Sequence, residues 1–171
     1  MCLCTVNNIP KLNKREAETG IIKGYVVVRK YPRPIGGPLY GPVFIAPGKP
    51  SAQLVPEGVE LSAITRSGFP LSNLPKYWRT NPQGFHIWST FQTAMRALSD
   101  RKAYFRNKGL AEGVSLALVE VSGREVIATG KDYPYKYLKN TAGCNSACCC
   151  VVVRYRTIVR ELMEVHPLAA A

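Results

Sequence analysis

The sequence predicts an α+β fold: a single domain over residues 1–171, mostly antiparallel strands, with one amphipathic helix at about 89–99 and long Pro/Gly loops. Three observations carry this. Segments rich in β-branched residues recur at strand length, Tyr25-Val26-Val27-Val28 being the clearest. One segment combines helical spacing with a start signal. Proline and glycine cluster densely between the strands. With 171 residues, 46% of them hydrophobic and 20% charged, the chain can bury one sizeable core and lacks the composition of a disordered protein.

Residues 1–20 are polar and show no clear period, whereas residues 21–30 form a strand. Residues 31–50 hold six prolines, Pro32, Pro34, Pro38, Pro42, Pro47 and Pro50, interleaved with Gly36, Gly37, Gly41 and Gly48, which forbids a helix or a central strand and predicts a loop. Residues 59–65 alternate weakly as a further strand, and residues 70–83 read as loop around Trp78. The run from Gly84 to Leu98 is an extended piece entering a helix: Ser89 and Gln92 have capping-box spacing. Phe91, Ala94, Met95 and Leu98 follow as one apolar stripe. Residues 100–113 are basic and polar. Residues 115–121 read as a strand, Ser122-Gly123 as a tight turn, and residues 124–129 as its hairpin partner. Residues 131–145 form a second loop. In the last strand, residues 149–159, alternation puts Val151, Val153, Tyr155, Thr157 and Val159 on one face, and Arg154, Arg156 and Arg160 on the other beside Val152 and Ile158.

Charge is the outlier. Lys and Arg number 23 against 11 Asp and Glu, a net charge of +12, with a pI near 9.6. Such an excess concentrates polyanions at the surface, so an anionic partner is expected: nucleic acid, nucleotide, acidic protein or an anionic membrane surface would each answer it. No apolar run approaches the roughly 20 residues that span a bilayer, and the N-terminus lacks a secretory pattern. The expected location is therefore intracellular, in host cytoplasm or a virion, without membrane. Cys2, Cys4, Cys144, Cys148, Cys149 and Cys150 are expected to pack as free thiols; their spacings differ from the paired knuckles of zinc sites. No metal or cofactor is expected.

Catalytic motifs are missing. There is no G-x-S-x-G elbow, P-loop or G-x-G-x-x-G fingerprint. Glu120 and Glu125 read as cross-strand partners of cations. The stronger constellation is for binding. His86 stands beside Trp88 near a helix start, where the dipole favours a neutral imidazole; a histidine bonded to a backbone carbonyl is the plain alternative. Lys131, Lys136 and Lys139 alternate with Tyr133, Tyr135 and Tyr137, and Arg154 and Arg156 follow. Aromatic faces with cations suit nucleotides or single strands.

Met1-Cys2-Leu3, the Pro10-Lys11 pair, Gly24 to Arg29, and the segment Gly84-Phe85-His86 with Trp88 and Ser89 resemble a group of small uncharacterised proteins of bacteriophages, large DNA viruses and bacteria. The proline-rich insertion and the 144–150 cysteine cluster depart from that pattern. A strand carrying Tyr25 and Arg29, followed later by Gly-Phe-His and a helix, is also similar to the ADP-ribosyltransferase-like fold. That resemblance implies Arg29 and His86 near a ligand's phosphates and ring. It offers Glu161, just past the last strand, as the nearest counterpart of the catalytic glutamate.

The expected function is a non-enzymatic basic protein of viral or mobile-element type that binds an anionic ligand, most specifically a nucleotide or nucleotide-derived signal, to sequester it from a host. Its expected contacts are Arg29, His86, Trp88, Ser89, Tyr135, Lys136, Arg154 and Arg156. One alternative is a viral structural or capsid-associated protein meeting acidic proteins or nucleic acid. The other is an ADP-ribosyltransferase-like enzyme.

Overall fold

The computed structural model describes residues 3–7, 12–43, 54–63, 84–132 and 149–166. In chain order the elements are β1 (Leu3–Asn7), α1 (Lys14–Thr19), β2 (Ile21–Tyr31), β3 (Leu39–Pro42), β4 (Glu60–Ser62), β5 (Phe85–Trp88), α2 (Phe91–Lys108), β6 (Ser115–Asp132) and β7 (Cys149–Val165). All pairings are antiparallel, and the fold is α+β as the composition of segments predicts.

The sheet runs β1-β6-β2-β5-β7-β4, with β3 attached to β2. Because β6 also pairs with β7 along most of its length, the strands β6, β2, β5 and β7 close into a ring. The closure is narrowest where β2 meets β5, with Tyr25 opposite Trp88. Gly24 permits that approach: a Cβ there would lie 2.6 Å from the Trp88 carbonyl oxygen and would strike the Ile87 side chain.

Two faces follow from the ring. The inner face collects Ile22, Val26 and Val28 from β2, Ile87 from β5, Val119 and Val121 from β6, and Val153 and Ile158 from β7. On the outer face, α2 lays Ala94, Leu98 and Phe105 on Val27, Trp88, Leu116 and Leu118. A smaller outer cluster joins Ala128, Cys150 and Val152.

Several expectations are corrected. Residues 115–129 are one continuous strand, with no turn at Ser122-Gly123. Gly123 lacks a positive φ; its role is clearance, since a Cβ would sit 2.8 Å from both Ile87 and Val153. The helix runs to Lys108, well past residue 99, because Arg101 and Phe105 extend the buried stripe of Ala94 and Leu98. Its N-cap is Thr90, whose hydroxyl accepts from the Thr93 N–H, and Ser89 lies outside the helix.

The polar N-terminal segment contains β1 and α1. No residue of α1 is buried, so no hydrophobic period betrays it. Its signal is instead the Asn13/Glu16 capping box and Gly20 in the left-handed C-cap. Within the proline-rich stretch, β3 forms on the free edge of β2, where Pro42 needs no ladder donor. Finally, β7 continues to Val165, and Val159 is 47% exposed, contrary to the alternation expected of it.

Candidate functional site

β7 does not alternate simply. Val153 and Ile158 both belong to the inner cluster although they are five positions apart, an odd spacing. The partner strand shows the cause: Glu125 on β6, between the residues that face Val153 and Tyr155, takes φ +54°. This irregularity turns both Arg154 and Tyr155 outward and brings Arg156 inward.

Arg156 stands opposite Gly123 on β6 and Leu61 on β4. Gly123 carries no side chain because Ile87 and Val153 already occupy the space in front of it. The guanidinium lies over the Phe85 ring, 4.6 Å from its centre. Its Nε is buried with no hydrogen-bond partner. No carboxylate pairs with it among the described residues. Burial lowers its pKa to about 10, so the group stays charged at neutral pH. A cation enclosed by apolar groups and an aromatic face, without a counter-ion, is costly to maintain.

The exposed arginines of the strands are different. Arg124 grips Glu60 through Nε (2.8 Å) and Nη2 (2.7 Å) and stacks on Tyr155 at 3.8 Å. Arg154 pairs with Glu125 at 3.2 Å, and Arg160 with Glu120 at 2.7 Å. The expected cross-strand role of Glu120 and Glu125 is what the structure shows.

Around the ring's other end lies a polar network. Tyr40, buried, donates to Glu161 (2.8 Å) and Glu57 (3.3 Å). Lys30 donates to Glu161 at 3.0 Å and to Glu164, which also accepts from Ser115. Burial and then the Glu161 hydrogen bond push the Tyr40 hydroxyl well above its ordinary value. Glu161 is an interior residue of β7, not a residue beyond it.

The residues expected to share a site are divided by the sheet. His86 and Trp88 alternate outward from β5, His86 Nδ1 lying 3.8 Å from Cys150 Sγ. Arg29 is also outward, opposite Leu116 and 5.1 Å from the Phe105 ring centre, its Nε buried without a partner. Ser89 sits between β5 and α2. Arg154 is exposed and paired. Arg156 is on the opposite, inner face. Tyr135 and Lys136 lie outside the described residues, as do the expectations for residues 70–83 and for Cys2, Cys144 and Cys148. Of the cysteines, Cys150 is buried, beside His86. Among the described residues no group of His, Cys, Asp and Glu has the makings of a metal site, and no helix is long and apolar enough to cross a membrane.

Phe85 and Gly123 are not legible as site residues: the sequence shows Phe85 as part of Gly-Phe-His and Gly123 as turn composition, and nothing local reveals that both flank Arg156. Compared with known protein families, functionally described proteins and solved structures, the chain matches none.

Proposed function

We propose that this protein is a non-enzymatic binder of an anionic ligand, with a nucleotide or nucleotide-derived signal as the most specific candidate, and that Arg156 is its anchoring cation. The observation that carries this reading is the guanidinium held on Phe85 with an unsatisfied Nε and no carboxylate partner. An Arg fork is planar and donates two parallel hydrogen bonds to a phosphate or carboxylate. The Phe85 ring fixes the plane, and an anion would supply both the missing acceptor and the missing counter-charge. The overall charge of +12 draws such a ligand in.

Ligand binding to the folded chain raises its melting temperature by mass action. The test is therefore stabilisation by nucleoside phosphates in the wild-type protein and its loss in Arg156→Met. For a protein of viral or mobile-element type, retention of a host signal is the biological consequence of this reading.

A further inference from the structure

The outer face of α2 is basic in a way the ligand reading does not use. The helix carries Arg96, Arg101, Lys102, Arg106 and Lys108 against a single acid, Asp100. Arg101 is buried. Arg96, Arg106 and Lys108 are exposed and Lys102 partly so. Burial raises the Asp100 carboxyl, with Arg101 opposing. The exposed arginines of β6 and β7, by contrast, are met by Glu60, Glu120 and Glu125. None of the four helix cations has an ion pair among the described residues. Arg106 and Lys108 complement the helix dipole in the last turn; Arg96 and Lys102 are too far back for that.

We infer that this strip is a docking surface for the phosphate backbone of a nucleic acid. Arg96 and Arg106 are ten residues apart, about 15 Å along the axis. That length matches the rise of about four nucleotide steps along one strand of a duplex. Ser99 and Ala103 are exposed between them and keep the strip low, so a backbone can approach. The apolar stripe of α2 is committed to the sheet through Ala94, Leu98 and Phe105, and the exposed aromatics of the helix, Phe91 and Tyr104, lie thirteen residues apart instead of forming a continuous face to enter a lipid layer. Contacts to phosphates would position the protein without reading sequence. This surface is on the opposite side of the sheet from Arg156 and stands apart from the ligand reading.

The test is fluorescence anisotropy with a labelled mixed-sequence DNA duplex of about 20 base pairs, titrated from about 50 to about 200 mM salt. Arg96→Gln/Arg106→Gln is compared with Arg124→Gln/Arg160→Gln, which removes the same net charge from paired arginines. The first variant is expected to bind at least tenfold more weakly, with the log–log salt slope shallower by about two; the second stays within about twofold of wild type. Arg156→Met is expected to bind the duplex as wild type does. Arg96→Lys/Arg106→Lys retains binding, which separates charge from folding. Equal losses in the two glutamine variants, no duplex binding by wild type, loss in Arg156→Met, or a strip that serves phosphatidylserine vesicles instead of DNA would each overturn the assignment.

Discussion

The Arg156 guanidinium rests 4.6 Å from the centre of the Phe85 ring, on the inner face of a closed ring of strands and opposite a glycine. An arginine in that position adds little to the ligand-free fold and withholds a polar atom from water. Replacement by an apolar chain of similar length should therefore stabilise. Arg156→Met is predicted to raise the melting temperature of the ligand-free protein by about 2–4 °C, the equivalent of about 1 kcal/mol for a chain of this size. A scanning-calorimetry melt in ligand-free buffer checks it; a fall of several degrees would mean that Arg156 is a structural cation.

Lys30 is the hub of the second polar cluster, and its removal takes the shared ammonium from Glu161 and Glu164, leaving Glu164 only the exposed His166. Arg and Lys pairs of this partly buried kind are sensitive to loss of one partner. Lys30→Met is predicted to cost about 2 kcal/mol at neutral pH, in the range of charged hydrogen bonds, measured by urea unfolding. Glutamine at 161 and 164 together with Lys30→Met should recover part of that loss.

The same cluster sets a pH dependence. Burial pulls the Glu164 carboxyl upward, but its bonds from Lys30 and Ser115 hold it below the ordinary carboxylate value. Its stabilisation is present above the unfolded value and lost as pH falls through the folded one, because the unfolded chain binds more protons there. Lys30 is raised despite burial, by Glu164 and then Glu161; Tyr40 is raised by burial and then Glu161. Both contributions are present below the unfolded values and disappear in alkali. Stability against pH should accordingly show a plateau between the two limits, and Lys30→Met should flatten both limbs in a pH series of urea melts.

The helix start offers a sharp local check. Thr90→Ala removes the oxygen that accepts from the Thr93 N–H and should cost about 1 kcal/mol. Gln92→Ala, at an exposed position in α2, should be close to neutral. Chemical denaturation of the two variants distinguishes a Thr90 cap from a Ser89–Gln92 box, which demands the reverse order.

Ring closure is tested at Gly24. Alanine there would push a Cβ against the backbone carbonyl of Trp88, and backbone cannot rotate aside. A loss of about 3 kcal/mol is predicted, read by urea unfolding. Gly20→Ala also destabilises, but for a different reason, since Gly20 has φ +65° with open space around it.

Much of the fold is legible locally. β2 is visible because four aromatic and β-branched residues, Tyr25 to Val28, fall together, and the entry to α2 because the apolar stripe begins there. What escapes is what distant partners decide. Ser122-Gly123 has turn composition, yet the glycine is demanded by Ile87 and Val153 across the ring. The same holds for the site. Alternation along β7 sends Arg156 outward with Arg154, whereas an irregularity at Glu125 on the neighbouring strand turns it in. His86 and Trp88 were expected beside it and do share a face with each other, but they project from the side of β5 that Phe85 does not. Charge totals pointed to an anionic partner; which cations lack an acid can be read only from the pairing of strands.

The central claim is most directly tested by thermal melts of wild type and Arg156→Met with a panel of nucleoside mono-, di- and triphosphates, cyclic nucleotides and inorganic phosphate. The account predicts that at least one nucleotide stabilises the wild type, by about 2.7 kcal/mol at about 100 times its Kd, and that Arg156→Met, folded and at least as stable alone, gains nothing from it. Equal stabilisation of both proteins, or none of the wild type by any anion tried, would contradict it.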